Sequence, residues 1–314
     1  MDSLSTPTPP IAHFTGVDDA ATRLESVGYL PSPEISAVAY LSDRMGKPIL
    51  VEGPAGVGKT DLARAMAQAL ERPLIRLQCY EGLDEGKALY EWEYAKQLLY
   101  TQLLRDKIGE MIAGTSSLSE AAERISSGDA VFFSERFLLP RPILKALLSP
   151  VPALLLVDEV DKSDPEFEAF LLEVLADNAV TIPELGTFRA KHPPRVVLTS
   201  NNARELSDAL KRRCLHLYID FPTRERELKI IRRRLPQLQE QLAEQITRAI
   251  EKLRELDLRK APSISEAIDW AQSLAILNAD VLSVELVAST LNLVLKHQGD
   301  IEKAKPHLRE IAQS

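Results

Sequence analysis

The sequence predicts an α/β fold built on a parallel sheet, followed by an all-helical C-terminal region. Three observations carry that prediction. Apolar runs near Ile49–Glu52, Pro73–Cys79, Ala153–Val157 and Arg195–Thr199 alternate with helical patterns, as strands joined by right-handed crossovers do. The run Ala153-Leu154-Leu155-Leu156-Val157 is apolar at every position, which fits a central strand covered on both faces. From Phe221-Pro222 onward the pattern is almost purely helical.

The elements follow in chain order. Residues 1–10 are rich in Pro, Ser and Thr, and the N-terminal disordered segment is set at 1–15. An α/β domain is expected over 16–220. A helical pattern at Glu34–Arg44 leads into the strand Ile49–Glu52, and Asp61–Leu70 is a helix with Leu62, Ala65, Met66, Ala69 and Leu70 on one face. Pro73–Cys79 reads as a second buried strand. The stretch at about 80–149 reads as an insert, with a helix around Tyr90–Ala113, a polar break at Gly114–Ser117 and an apolar piece at Ala130–Phe133. Asp164-Pro165 opens the next helix as N-cap and first residue. A hairpin pairs Ala179–Ile182 with Thr187–Ala190. The helical domain, 221–314, contains Glu225–Leu235, Leu238–Leu256, Ser265–Leu277 and Val284–Lys296.

Composition narrows the function classes. A net charge of −8 argues against a general nucleic-acid coat, so nucleic acid is not expected as a partner. Cys79 and Cys214 stand far apart, as reduced core thiols do, and five scattered histidines make no zinc pattern. The first residues lack a basic segment and an apolar core, and no apolar run is long enough to span a bilayer, so a cytoplasmic protein without membrane insertion is expected.

The chemistry begins at Gly53-Pro54-Ala55-Gly56-Val57-Gly58-Lys59-Thr60, which fits G-x-x-x-x-G-K-[ST] between a strand and a helix. Such a loop turns its N–H groups onto phosphate oxygens, and Asp61 opens the helix beside it. Lys59 is expected at the β- and γ-phosphates of ATP, and the Thr60 hydroxyl on Mg²⁺. Asp158 ends an apolar strand about 100 residues downstream and is the expected metal-side carboxylate; Glu159 follows as the residue that polarises the attacking water. Asn201, with Asn202 as its alternative, ends the strand Arg195–Thr199 and is placed to read the γ-phosphate. Lys211-Arg212-Arg213-Cys214 follows a short helix at Glu205–Leu210 and offers an arginine to a neighbouring subunit's nucleotide.

These residues, in this order, resemble the AAA+ ATPases: Walker A at 53–60, Walker B at 154–159, a sensor-1 asparagine at 201, an arginine finger near 212–213 and a helical lid. The elaborated connection before Walker B and the hairpin at 179–190 resemble the clade with a helix-2 insert and a pre-sensor-1 hairpin. Val51–Thr60 and Leu156–Asp161 look like the MoxR family, and the resemblance spans roughly 25–300. It implies a ring, a hexamer by family habit, and an ATP-driven chaperone that remodels or matures a client, such as a metalloenzyme, beside a von Willebrand factor A domain partner.

Two departures from the family pattern matter. MoxR proteins usually show Leu-Asp-Arg-Phe at the finger, whereas this chain has Leu210-Lys211-Arg212-Arg213; alignment on Leu210 favours Arg212, and the Arg-Cys pattern favours Arg213. The lid arginine of a Ser-Pro-Arg-Ala-like motif is missing from Ala261-Pro262-Ser263-Ile264-Ser265-Glu266, leaving Arg259 or Lys260 as its substitute. Tyr80 sits where related rings place a pore loop, with core packing as the expectation, and Phe132, Phe133 and Phe137 are likewise expected to be packed.

Competing classes remain in view. A DNA-acting loader or helicase accessory draws on Arg224, Arg226, Lys229, Arg232, Arg233 and Arg234, which otherwise form a solvated lid helix or a subunit contact. A nucleotide-gated switch would need no water-positioning set, and a small-molecule kinase fits the helical tail poorly.

Overall fold

The computed structural model describes residues 12–103, 117, 135–183 and 185–313. Five parallel strands form the central sheet, in the order β2-β5-β8-β1-β9. They are β1 (Ile49–Glu52), β2 (Leu74–Gln78), β5 (Leu154–Asp158), β8 (Arg195–Ser200) and β9 (Leu215–Tyr218). β5 is buried at all five positions, as its apolar run requires. β9 is an addition to the predicted strands: its alternating Leu215-His216-Leu217-Tyr218 pairs with β1 from Ile49↔Leu215 to Glu52↔Tyr218.

β2 differs from its prediction. It lies at the sheet edge against β5 alone, and only Leu77 is fully buried, because an edge strand leaves one flank to solvent. Its register sets Gln78 beside Asp158. Two small antiparallel pairs complete the strands. β3 (Tyr90–Trp92) pairs with β4 (Leu138–Pro140), and β6 (Ala179–Ile182) pairs with β7 (Gly186–Arg189) in the expected hairpin.

Helices pack on both faces of the sheet. α1 (Val17–Ser26), α2 (Pro33–Met45) and α3 (Lys59–Ala69) share one core with β1, and α7 (Pro165–Asp177) contributes Phe167, Leu171 and Val174 to the other. Between them in sequence come α4 (Glu85–Leu89), α5 (Tyr94–Leu103) and α6 (Pro142–Leu147). The expected helix Tyr90–Ala113 begins only at Tyr94, after β3; its part beyond 103, the break at Gly114–Ser116 and the piece Ala130–Phe133 lie outside the described residues. Phe137 is buried as expected, but Tyr80 is 48% exposed, since it follows the edge strand rather than a covered one.

Of the segment set at 1–15, residues 1–11 lie outside the described part and 12–15 fall within it. Phe14 is fully buried and its N–H donates to Asp43 Oδ2 at 2.9 Å. Asp43, itself buried, also meets His13, Arg72 and Arg195, which cross-links the chain start to α2 and the N-terminal end of the sheet.

The C-terminal region holds α9 (Arg224–Arg234), α10 (Glu240–Glu255), α11 (Ile264–Ile276), α12 (Val284–Val294), α13 (Gln298–Ala304) and α14 (Leu308–Gln313), following the short α8 (Asp208–Arg213). Its core is its own, from Ile231 to Ala312, around the buried Trp270, whose Nε1 donates to Thr290 Oγ1 at 2.8 Å. A capping box at Ser263 and Glu266 opens α11. Among the described residues, no helix is long and apolar enough to cross a membrane.

Candidate active site

The site lies at the C-terminal ends of β1, β5 and β8, where open α/β sheets place ligands. Its floor is the loop Gly53–Gly58, which leaves β1 and enters α3. Gly53 has φ 144°, and a Cβ there would overlap the Ile219 carbonyl at the end of β9. Gly56 has φ 77°, and a Cβ there would strike Ser263 of the helical region. The backbone of this loop therefore approaches two neighbours more closely than any side chain permits.

Lys59 is almost wholly buried, and its Nζ donates to the carbonyls of Gly53 at 2.7 Å and Pro54 at 2.6 Å. Burial lowers its pKa, and Asp161, Asp158 and Glu159 act against that. An ammonium folded onto its own loop is positioned to turn outward to an arriving anion. Thr60 Oγ1 donates to Asp158 Oδ1 at 3.0 Å, so the helix start and the end of β5 meet as the sequence predicts.

Asp158 is buried and held from three sides: Thr60 and Thr199 Oγ1 (2.6 Å) on Oδ1, and Arg76 on Oδ2. Glu159 follows in the left-handed region at φ 57°, ψ 50°, a conformation that costs a non-glycine residue about 1 kcal/mol. That twist turns the side chain away from the strand line and into the cleft. Its Oε1 accepts from Asn201 Nδ2 at 3.0 Å; its Oε2 accepts from Gln78 Nε2 at 2.8 Å and Lys162 Nζ at 2.7 Å. Asp161 anchors the asparagine loop, since its Oδ2 accepts from the N–H groups of Asn201 and Ala203. Asn202 is exposed and bonds to Ser200, so the amide facing the cleft is that of Asn201.

Ala55, Gly56, Gly58, Lys59, Thr60, Asp61, Asp158, Glu159, Thr199, Asn201 and Ser265 line this polar cleft. A second, more apolar pocket adjoins it through Gly58, Asp61 and Ser265, walled by Tyr29, Leu30, Val57, Ile230, Ile264 and Ile268. Burial pushes the Tyr29 phenol well above its ordinary pKa, so it stays protonated at neutral pH. A polar trough opening into an apolar slot matches a polyphosphate joined to a flat base.

A family model for the AAA domain, dynein-related subfamily, matches residues 48–214. The chain belongs to the AAA family. It is 29% identical over 240 residues to the gas vesicle ATPase GvpN of Haloferax mediterranei, covering 72% of this chain and 63% of that protein. It is 24% identical over 205 residues to the protein NorQ of Paracoccus denitrificans, covering 65% and 64%. The chain thus spans slightly under two thirds of the length of these curated relatives. Among solved structures, the Thermotoga maritima RuvB Holliday junction branch migration motor aligns at a TM-score of 0.45 and 16% identity, over 88% of this chain and 70% of that one. That likeness is too remote to carry function.

This AAA+ chain departs from the sequence reading at the finger and the lid. Ser207 caps α8, so Lys211, Arg212 and Arg213 form its last turn instead of following a helix at Glu205–Leu210. Arg213 Nη1 donates to the Leu172 carbonyl of its own chain. The Arg212 side chain is exposed and makes no hydrogen bond or ion pair with the described residues. In the lid, neither Arg259 nor Lys260 lines either pocket; their N–H groups bond to Asp300, and Lys260 Nζ pairs with Glu266. Ser265 instead touches the phosphate loop, its Oγ donating to the Gly56 carbonyl at 3.2 Å.

Three arginines of α9 line the apolar slot. Arg226 donates to the Leu30 carbonyl at 2.8 Å, Arg233 to the Glu25 carbonyl, and Arg234 pairs with Asp61 at 3.2 Å. Both cysteines are buried thiols whose pKa burial pushes up to about 12, which leaves them unreactive.

Proposed function

We propose that the cleft hydrolyses ATP and that the energy remodels a client protein. One observation carries the hydrolytic reading. Thr60, Asp158, Glu159 and Asn201, drawn from three separate segments, converge within hydrogen-bond reach beside the phosphate loop. A protein that only bound nucleotide would need no second carboxylate aimed into the cleft by a strained backbone.

Each residue then has a task. The Gly53–Gly58 backbone and Lys59 bind the phosphates, with the N-terminus of α3 and Asp61 beside them. Thr60 and Asp158 form a hard-oxygen pair suited to Mg²⁺, which when bound neutralises charge on phosphate oxygens. Glu159 takes up a water and holds its proton, while Asn201 orients both Glu159 and the γ-phosphate. The apolar slot around Tyr29, Val57 and Ile264 receives the base, and α9 closes over it.

Arg212 supplies the cation in trans, because Arg213 is already occupied by its own chain. A site finished by a neighbour requires a ring, and a hexamer is the family's usual form. Two curated relatives are named gas vesicle ATPases, which supports the ATPase reading of the cleft. The von Willebrand factor A domain partner, the metalloenzyme client and the cytoplasmic location rest on the MoxR resemblance. The DNA-acting reading loses its main support, since Arg226, Arg233 and Arg234 are engaged within the chain.

The test is ATP turnover with sizing by light scattering, for wild type and Glu159→Gln. Glu159→Gln is expected to keep nucleotide binding and ring formation while turnover falls by about 10²-fold or more, the scale of losing a general base. A wild type that binds ATP as a monomer and never turns it over would leave the nucleotide-gated switch as the better reading.

A further inference from the structure

β2 presents two polar side chains to the acids at the end of β5. Arg76 and Gln78 are two residues apart on the strand and so share one face. Arg76 donates to Asp158 Oδ2 twice, from Nε at 3.0 Å and from Nη2 at 2.6 Å. The same Nη2 donates to Gln78 Oε1. With its oxygen taken, the Gln78 amide turns its Nε2 to Glu159 Oε2 at 2.8 Å. One guanidinium therefore touches the metal-side carboxylate directly and the water-side carboxylate through a single amide.

The electrostatics follow from this geometry. Asp158 Oδ1 is shared by two hydroxyls and Oδ2 is filled by Arg76, so a cation arriving at Thr60 meets a carboxylate already neutralised. It also meets a positive charge a few ångströms away, and like charges at that range repel even in a half-wet site. The Arg76 side chain is 44% exposed, which moderates the effect without abolishing it.

We propose that Arg76 is a positioning residue with two linked roles: it weakens divalent-cation binding at Asp158, and it fixes the orientation of Glu159 through Gln78. The proposal rests on the ATPase reading of the cleft. It explains why an edge strand places an arginine, donating twice to Oδ2, on an acid that the chemistry needs for a metal. The cation is held loosely enough to leave with the product, and Glu159 stays aimed while it does.

The two roles predict effects of opposite sign, which a merely structural brace would not produce. Mn²⁺ is titrated in the presence of ADP, with free Mn²⁺ read by electron paramagnetic resonance, alongside ATP turnover. Arg76→Ala is expected to tighten Mn²⁺ binding about tenfold, as removal of one nearby repelling charge does, while turnover falls by a similar factor. Arg76→Lys keeps the charge but not the fork that spans Asp158 and Gln78, so Mn²⁺ affinity stays near wild type and turnover falls. Circular dichroism confirms that both variants fold. Weaker Mn²⁺ binding in Arg76→Ala, or unchanged binding and turnover together, would overturn the proposal. A wild type that binds no Mn²⁺ with ADP would overturn the ATPase reading itself, and this proposal with it.

Discussion

Two buried aspartates sit at opposite ends of the same sheet, and they do different work. Asp43, at the N-terminal end, is closed on every side by His13, Arg72, Arg195 and the Phe14 N–H. Asp158, at the C-terminal end, also has an arginine, but its other oxygen faces two hydroxyls at the edge of an open cleft. Burial and an arginine partner are common to both, so neither feature marks a functional acid. What separates them is the neighbour that can exchange its bond: on the proposed reading the Thr60 hydroxyl turns to a metal at the open cleft, whereas Asp43 faces only side chains and backbone of its own fold. Arg72 is nearly as buried as its partner; burial lowers its pKa, and the Asp43 carboxylate acts against that.

The comparison breaks most sharply on a matched pair of substitutions. Asp158→Asn is expected to lower turnover by about 10²- to 10³-fold, the scale of losing several kcal/mol of metal-ion charge stabilisation, with little change in melting. Asp43→Asn is expected to destabilise the fold by about 3–5 kcal/mol, since it strands buried cations, while activity per folded molecule persists. Denaturant melts beside turnover measure both. Activity lost in Asp43→Asn under conditions where the protein remains folded would mean that the two ends of the sheet are coupled, and the division of labour would fail.

The finger arginines sharpen the same point one level up, since here too the question is which partner can be exchanged. Arg212→Ala is expected to reduce ring turnover by about 10³-fold, the usual worth of an arginine finger. Arg213→Ala, which cuts a bond to Leu172 within its own chain, is expected to cost far less, about tenfold or under, because it removes one charge-assisted hydrogen bond at the surface. Mixing Arg212→Ala with Glu159→Gln subunits should restore turnover at mixed interfaces. The reverse ranking of the two alanine variants would move the finger to Arg213.

What the sequence showed and what it hid divide along contact distance. Phosphate loop, strand-end acids and Asn201 were legible because each is written locally, as a glycine pattern, an apolar run ending in Asp-Glu or a strand end. The contacts that arm them were not. Arg76 and Asp158 are 82 residues apart, and Ser265 and Gly56 are 209 apart. One signal was available: Arg76 and Gln78 alternate with Ile75 and Leu77, which is the pattern of an edge strand with a polar face rather than of a buried one. The strand β9 was hidden for a similar reason, since four residues with His216 and Tyr218 on one side look like a turn beside the helix before them. Lid composition suggested Arg259 or Lys260 as the nucleotide cation because they precede the expected motif. Asp300 of α13 instead holds their backbone N–H groups, the Lys260 side chain turns to Glu266, and α9 lines the pocket.

The smallest expected effect tests that last difference, between a lid that reads nucleotide through a charge and one that reads it through shape. Arg234 and Asp61 are each about half exposed, and such a pair contributes little, about 0–1 kcal/mol. Arg234→Ala is therefore expected to weaken ATP binding by about fivefold at most, with the loss fading as salt rises through the range where surface charges are screened. Ile264 and Ile268 would then hold most of the lid's grip on the base through apolar contact, which salt does not weaken. Nucleotide affinity by fluorescence titration at two ionic strengths distinguishes the two. A large, salt-insensitive loss in Arg234→Ala would place a direct phosphate contact on α9 and make it the replacement for the missing lid arginine.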